Sequence, residues 1–177
     1  MVESAPIEIV PYDGCWLARF ADEREALAKV LQPWLRGPIE HVGSTAVPGL
    51  AAKPVIDIMA GVETLEASRA AIERLETFGY CYAPYAADVE HWFCKPSPAL
   101  RTHHLHLVPV HSALWVARLS FRDALRADTE LARAYAALKL ELAARFRNDR
   151  EAYTQAKAPF IRAVLAAAGA PRGPASA

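Results

Sequence analysis

The 177-residue sequence predicts an α+β domain, in which a small mixed β-sheet is covered by helices and a helical carboxy-terminal segment packs against it. Short β-branched runs bounded by glycine or proline indicate strands between residues 39 and 110. Amphipathic three-and-four spacing indicates helices before and between these strands, and the pattern over residues 113–168 is helical. We therefore expect one domain over residues 1–168, followed by a disordered tail over residues 169–177.

The amino-terminal half begins with an extended apolar piece at residues 7–10, followed by an amphipathic helix that Pro33 helps to end. Residues 39–42 and 55–59 are short, β-branched and bounded by Gly or Pro, so we expect two strands joined by a tight connection. A second helix is predicted over residues 64–78, because it starts at a capping residue and is closed by a glycine.

The same patterns predict the remaining elements. Three further strand candidates are residues 80–85, 90–95 and 103–110. The helical pattern that follows is broken near residue 128 and again near residues 148–149, which indicates several helices in succession.

The composition excludes several classes of protein. Twenty Lys and Arg residues balance twenty Asp and Glu residues, and the sequence pI is near 7.0. This balance gives no strong signal for a protein dedicated to nucleic acid or to anionic membranes, although a local basic patch is compatible with it. Three cysteines without CxxC spacing disfavour a disulfide framework or a four-cysteine zinc site. With no targeting segment and no apolar run of the ~18 residues that a membrane span needs, we expect a soluble cytoplasmic protein.

A glycine-serine turn is the first candidate binding site. Gly43, Ser44 and Thr45 follow a predicted strand directly, and such a turn can aim backbone N–H groups and two hydroxyls at an anion such as phosphate. The alternative is structural, since glycine supplies a backbone conformation that other residues avoid and serine caps helical turns. By period two, Lys53 shares a strand face with Asp57, where it would either contact a phosphate or pair with that acid.

A lone acid and two histidines form the candidate catalytic and metal site. Asp57 lies within the apolar second strand, and His104 and His106 share one face of a later strand because side chains alternate. Two imidazoles at i and i+2 can bind one metal ion, and an acid from a neighbouring strand would complete an Asp/His/His set. The alternative is a histidine pair that only forms hydrogen bonds on a solvated sheet face.

Further cations could receive a polyanion. Arg101 precedes the histidines, and Arg122 lies one helical turn from Arg126, so the latter two share a helix face. Ion pairing with Asp123 and neighbouring acids is the alternative for that face. A repeated Tyr-x3-Lys spacing in the C-terminal helices is also explained by a lysine stem that lies along a tyrosine ring. The two pairs are Tyr135 with Lys139 and Tyr153 with Lys157.

Four sequence blocks, read together, resemble a known family. They are HVGSTAVPGLAAKPVIDI, RTHHLHLV, FRDALR and DREAYTQAKAPFI, and with the YDGCW opening the likeness covers nearly the whole chain. This ordered set resembles the GrpB family of uncharacterised cytosolic proteins, which is similar to the nucleotidyltransferase fold. The resemblance implies a turn at Gly43 and Ser44 and a first acid at Asp57. It also implies a second acid where this sequence has Met59, and a third on the strand that here carries the two histidines.

The resemblance implies a nucleotide or another phosphorylated small molecule as ligand, and a divalent metal (Mg²⁺, Mn²⁺ or Zn²⁺) as cofactor. One aspartate cannot hold two magnesium ions, so an Asp/His/His set favours a single borderline metal. The leading interpretation is a nucleotidyltransferase-like protein that binds such a ligand with a divalent metal, an arrangement that could also transfer a nucleotidyl group to a small acceptor. The alternatives are a single-metal hydrolase of a phosphate ester and a ligand-binding module that has lost its catalytic acids. The expected metal ligands are Asp57, His104 and His106, and the expected phosphate-binding residues are Gly43, Ser44, Thr45, Lys53, Arg101 and Arg122.

Overall fold

The computed structural model describes residues 6–171, so residues 1–5 and the part of the expected disordered tail beyond residue 171 lie outside the described residues. Within residues 6–171, no helix is both long enough and apolar enough to cross a membrane. The elements, in order, are α1 (Cys15–Leu31), β1 (Leu35–Val42), a 3-10 turn (Ser44–Ala46), β2 (Ile56–Val62), α2 (Ala71–Thr77), β3 (Cys81–Ala83), β4 (His91–Pro96), β5 (Arg101–Pro109), α3 (Ala113–Ala127), α4 (Thr129–Arg145) and α5 (Arg150–Ala167).

The predicted α+β class with a mixed sheet is confirmed. In the described chain the five strands form one sheet of order β1-β2-β5-β4-β3, in which β2 and β5 are parallel and the other neighbours are antiparallel. β1 begins earlier than predicted, because its first residue, Leu35, pairs with Val62 at the end of β2. α2 begins later than predicted, because the residues before Ala71 form turns, one of them closed by the Ala67 N–H donating to Thr64 Oγ1.

The two breaks predicted in the C-terminal helical pattern are helix starts. The Asp128 side chain accepts hydrogen bonds from the backbone N–H groups of Glu130 and Leu131, which begins α4. Asp149 accepts from the N–H of Ala152 and begins α5 in the same way. A carboxylate at this position satisfies N–H groups that have no partner within the helix, so each aspartate fixes a boundary.

One face of the sheet packs on α1 and α2. Ile58, Phe93 and Leu105, from three neighbouring strands, are fully buried in one hydrophobic cluster with Trp16 of α1 and Leu75 of α2. This face supplies most of the apolar burial that stabilises the amino-terminal half of the fold. Because strand side chains alternate, the residues between these point to the opposite face.

The opposite face is covered by the C-terminal helices. Val42, Met59 and Val108 form an apolar cluster with Leu114 and Trp115 of α3, which fixes that helix on part of the sheet. Beside this cluster a cavity separates the sheet from the helices.

Candidate functional site

A cavity of about 670 Å³ lies between the sheet and helices α3, α4 and α5. Its described lining includes seven Lys or Arg residues and three Asp or Glu residues, so it is basic although the whole chain is neutral. Eight of the nine residues predicted for the site line it. They are Gly43, Ser44, Thr45, Lys53, Asp57, Arg101, His104 and His106.

Strand register explains why the acid and the two histidines meet. β2 and β5 are parallel neighbours, with Asp57 opposite His104 and Met59 opposite His106. β4 lies on the other side of β5, with Trp92 opposite His106. Because side chains of one strand alternate between two faces, all five of these residues lie on the face that the C-terminal helices cover.

Asp57 and His104 form the first of two carboxylate–histidine pairs. His104 Nδ1 lies 2.9 Å from Asp57 Oδ1 and donates to it. Burial alone would raise the pKa of Asp57, but the hydrogen bond from His104 and the positive groups nearby, Lys53 among them, outweigh burial and hold that pKa well below its ordinary value. His104 Nε2 is buried and has no hydrogen-bond partner among the described residues. The ionised acid therefore orients an imidazole whose second nitrogen is uncommitted.

The second pair is His106 with Glu90, and Arg118 of α3 completes it. His106 Nδ1 lies 2.7 Å from Glu90 Oε2, and the Arg118 guanidinium donates to both Glu90 oxygens at 2.7 and 3.2 Å. Burial opposes ionisation of Glu90, but the charges and hydrogen bonds of His106 and Arg118 lower its pKa to about 2. Burial and the charge of Arg118 lower the pKa of His106. The contacts among His106, Glu90 and Arg118 hold α3 against the sheet and fix the orientation of the His106 ring.

The expected Asp/His/His ligand cluster is not present. Within residues 6–171, no group of three or more His, Cys, Asp or Glu side chains is arranged to hold a metal ion. The Nδ1 atoms of His104 and His106 are bonded to different carboxylates, which separates the two imidazoles into two pairs. Met59, at the position implied for a second acid, is fully buried in the apolar cluster under α3. In this arrangement the described residues form no ready-made centre for one or two metal ions, and the metal stays a prediction from the sequence.

The glycine-serine turn approaches Asp57 closely. Gly43 has a φ of +70°, and a Cβ placed there would lie 2.5 Å from Asp57 Oδ2, so both the conformation and the space require glycine. The buried Thr45 hydroxyl donates to the carbonyl oxygen of Val55 at 3.2 Å and lies 3.0 Å from His41 Nε2. Thr45 therefore links the turn to His41 before it and to Val55 after it, and its hydroxyl is already used in these hydrogen bonds.

Three lysines converge on the cavity. Lys139 is only 2% exposed, and its ammonium nitrogen is bonded to Ser44 Oγ at 3.0 Å and to the carbonyl oxygen of Ala51. Burial, with the charges of Lys157 and Lys53, lowers the pKa of Lys139 to about 7. Burial and the charge of Lys53 lower the pKa of Lys157 to about 8, and burial also lowers that of Lys53. The described residues form no ion pair with any of the three lysines, and the nearby charge of Asp57 offsets the lowering of the pKa only in part, for Lys53 and Lys157.

The two helix lysines were not predicted as site residues, although the Tyr-x3-Lys spacing was a signal for them. Lys139 Nζ lies 4.9 Å from the Tyr135 ring centre, and Lys157 Nζ lies 4.7 Å from that of Tyr153. Lys53 Nζ also lies 5.0 Å from the Tyr153 ring, so one tyrosine contacts two of the three cations. Each tyrosine packs along a lysine and helps to hold its charged end at the cavity.

Arg122 does not line the cavity, which corrects its expected place beside a phosphate. Its guanidinium donates to Glu40 Oε2 at 2.6 Å and to Asp123 Oδ1 at 2.8 Å, the ion pairing that was the alternative for this helix face. Arg101 does line the cavity, and its guanidinium lies 5.1 Å from the Trp92 ring centre.

Comparisons with known proteins agree on one family. A family model described as GrpB protein matches residues 6–167. A UPF0157 protein from Pseudomonas aeruginosa is 41% identical over 164 residues, which are 90% of this chain and 66% of that protein. The crystal structure of the conserved protein GrpB from Enterococcus faecalis matches with a TM-score of 0.82 and 31% identity, and covers 91% of this chain and 96% of that one. A dephospho-CoA kinase from Mycolicibacterium paratuberculosis is 32% identical over an alignment of 186 positions, gaps included, that covers 91% of this chain and 46% of the kinase.

The chain spans about two thirds of the Pseudomonas relative and less than half of the kinase, so the activities of those whole proteins do not pass to it directly. The match to the Enterococcus structure, by contrast, covers nearly all of both chains. It shows that the chain has the fold of that GrpB protein, which fits the nucleotidyltransferase-like fold implied by the family resemblance.

Proposed function

The chain belongs to the GrpB family, and from that premise we propose that it binds a phosphorylated small molecule of about the size of a nucleotide in the cavity between its sheet and its C-terminal helices. The observation that carries this proposal is the group of three lysines, Lys53, Lys139 and Lys157. Lys139 is buried and the other two are half-buried, and desolvated ammonium groups are rare unless an anion compensates them. The three acids of the described lining form no ion pair with these lysines, because Asp57 is bonded to His104, Glu90 to His106 and Arg118, and Glu151 to Gln155. A phosphate group supplies the missing negative charge.

The size of the cavity and its aromatic side chains favour a nucleotide. A volume of about 670 Å³ is within the ~300–1,000 Å³ range of small-molecule sites. Tyr85 and Trp92 line the cavity and offer flat rings to a base. The name of one relative, dephospho-CoA kinase, specifies a substrate that contains a nucleotide. Dephospho-CoA and coenzyme A therefore belong among the compounds to be tested.

Nucleotidyl transfer with two metal ions receives no such support. Met59 occupies the place of the second acid and is fully buried among apolar side chains. A divalent metal held by Asp57, His104 and His106 stays a prediction from the resemblance, and the proposed binding does not depend on it. The cytoplasmic location also stays a prediction.

A thermal-shift screen tests the proposal. Nucleoside mono-, di- and triphosphates, dephospho-CoA, coenzyme A and inorganic phosphate would each be added with EDTA and, separately, with Mg²⁺ or Zn²⁺. A ligand at about 100 times its Kd stabilises the folded state by about 2.7 kcal/mol, which raises the Tm of a protein of this size by roughly 5–10 °C. We expect at least one organic phosphate to do so in EDTA. The proposal is refuted if none of these compounds raises the Tm, or if every rise in Tm requires a metal.

The Asp57–His104 pair supports a second candidate function, metal-independent hydrolysis or transfer at phosphorus. The buried, unpartnered Nε2 of His104 can take the proton of a water or hydroxyl that attacks the ligand. We expect His104→Gln to reduce any phosphate or pyrophosphate release in EDTA by about 10²–10⁴-fold and to leave ligand affinity within about threefold. His111→Asn, at an exposed position, is the matched control. No release by the wild-type protein from any ligand that it binds would exclude this second function.

The free energy of unfolding of the ligand-free protein is expected to rise between pH 7 and pH 8.5. The pKa is lowered from 10.5 to about 7 for Lys139 and to about 8 for Lys157. In this range the unfolded chain binds more protons than the folded chain, so stability increases with pH. The rise approaches about 1.4 kcal/mol per pH unit for each lysine that is neutral in the folded protein.

Urea denaturation in phosphate-free buffers measures this dependence. Of the charged groups that face these two lysines, Lys53 has a pKa shifted in the same direction, and Asp57 stays ionised throughout the range. The double variant Lys139→Met/Lys157→Met is expected to lose most of the pH dependence, whereas Lys29→Met, at an exposed position on α1, is expected to keep it. An unchanged slope in the double variant would show that the buried lysines are not the titrating groups.

A further inference from the structure

Lys139 differs from an ordinary phosphate-binding lysine in how its nitrogen is held. It is 2% exposed, and it is bonded to two neutral oxygens, Ser44 Oγ and the carbonyl oxygen of Ala51. Within residues 6–171 no carboxylate pairs with it. Lysines desolvated beside other cations are the ones that serve as amine nucleophiles in proteins.

The hydrogen bonds of Lys139 suit a neutral amine. An ammonium group has three N–H donors, whereas a neutral amine has two and one lone pair. The oxygens of Ser44 and Ala51 are two acceptors, so a neutral amine satisfies both and keeps its lone pair available at the cavity. The pKa of about 7, lowered by burial and by Lys157 and Lys53, provides this neutral form near neutral pH.

We propose that Lys139 is a nucleophile that forms a reversible imine with an aldehyde or ketone group of a phosphorylated ligand. The Nζ atom adds to the carbonyl carbon to give a carbinolamine, which loses water that contains the former carbonyl oxygen and leaves a C=N bond. The Ser44 hydroxyl, which accepts from Lys139, donates its proton to the departing oxygen and takes back the remaining Nζ proton as the C=N bond forms, so both protons of the amine leave in the water and serine is regenerated. No oxidant or reductant takes part.

This inference rests on the proposed phosphate site, because Lys53 and Lys157 would hold the phosphate while Lys139 reacts. All three lysines line the same cavity, and Tyr153 contacts both Lys53 and Lys157. The ligand class is therefore a carbonyl compound that also carries a phosphate ester. The negative charge of Asp57 partly offsets the lowering of the pKa of Lys53 and Lys157, and so favours the cationic form of both lysines.

Reductive trapping tests the imine. The full-length protein would be incubated with pyridoxal 5′-phosphate as probe, reduced with borohydride, digested and mapped by mass spectrometry. We expect the main adduct on Lys139, formed at least about tenfold faster than with pyridoxal, because the phosphate places the aldehyde beside the amine. Lys139→Arg is expected to lose this adduct, whereas Lys29→Arg, which alters an exposed lysine, is expected to retain it. An adduct spread over surface lysines, or one confined to Lys53 or Lys157, would overturn the proposal.

Nucleotide binding separates a failure of this inference from a failure of the proposed function. If a nucleotide binds the wild-type protein but pyridoxal 5′-phosphate does not label Lys139 of that protein, the imine is refuted and the phosphate site stands. If Lys139 is labelled and a bound nucleotide protects it, both are supported. If Lys139 is labelled equally by pyridoxal and its phosphate, and no phosphorylated compound binds, the amine is reactive but the proposed ligand class is wrong. Mapping on the wild-type chain keeps these outcomes readable even if the arginine variant folds poorly.

Discussion

The double variant Lys53→Met/Lys157→Met is expected to bind its phosphorylated ligand roughly 10²–10⁴-fold more weakly than the wild-type protein. Each lysine would supply a charge-assisted hydrogen bond to phosphate, worth about 1.5–3 kcal/mol, and a loss of 1.4 kcal/mol weakens binding about tenfold. Methionine keeps an unbranched apolar stem against Tyr153, so packing changes little. The variant removes two poorly compensated buried charges and is expected to unfold no more easily than the wild type.

Calorimetric titration with the tightest ligand of the thermal-shift screen measures this loss. The control variant is Lys29→Met, in which the lysine is exposed and bonded to Glu25 on the surface of α1. Removal of that charge is expected to change the Kd by less than about twofold, because surface charges far from a site are screened. If the double variant and the control bind equally well, the phosphate does not lie between Lys53 and Lys157.

Gly43→Ala is expected to lower the free energy of unfolding by about 2–4 kcal/mol and to disrupt the Asp57–His104 pair. The backbone at Gly43 has a φ of +70°, which an alanine adopts only under strain. The added Cβ would also lie 2.5 Å from Oδ2, 3.0 Å from Cβ and 3.1 Å from Cγ of Asp57. A contact with the whole carboxylate group cannot be relieved by a small rotation, so Asp57 must move away from His104.

Two other glycines separate strain from contact in this experiment. Gly49 has a φ of +79° with open space around it, so Gly49→Ala adds strain alone, about 1 kcal/mol. Gly14 lies at the start of α1 with a negative φ and no atom within 4 Å, so Gly14→Ala is expected to be nearly neutral. Urea denaturation of the three variants gives the comparison. A cost for Gly43→Ala that equals the cost for Gly49→Ala would mean that the close approach to Asp57 has no energetic consequence.

Alternation along strands was enough to predict one shared face for part of the site. The i and i+2 spacing places His104 and His106 on one side of β5. Lys53 also reaches the cavity with Asp57, although it lies before the first residue of β2. That the faces of β2 and β5 coincide depends on β2 being the parallel neighbour of β5, which no local pattern contains. The partner of His106 was harder still to predict, because Glu90 precedes β4 and reaches the histidine only through the order of strands in the sheet.

In the helices, sequence spacing was not enough to predict which cations reach the site. Arg122 and Lys139 each belong to a repeated spacing on one side of a helix, and spacing alone does not say which side meets the sheet. Packing placed Lys139 at the cavity and Arg122 against Glu40. The sequence does offer one distinction: Arg122 is adjacent to Asp123, to which it is bonded, whereas no acid lies three or four residues from Lys139 or Lys157.

Proton uptake on ligand binding shows whether a bound phosphate contacts the three lysines. A phosphate bound among Lys53, Lys139 and Lys157 must raise their lowered pKa values, so binding at pH 8 takes up protons from the buffer. Calorimetric titration of the wild-type protein with a nucleoside diphosphate, in two pH 8 buffers of different ionisation enthalpy, measures the number of protons taken up per ligand. We expect an uptake of roughly half to one and a half protons per ligand. Binding with no proton uptake, in both buffers, would show that the ligand does not contact the buried lysines and would contradict the account.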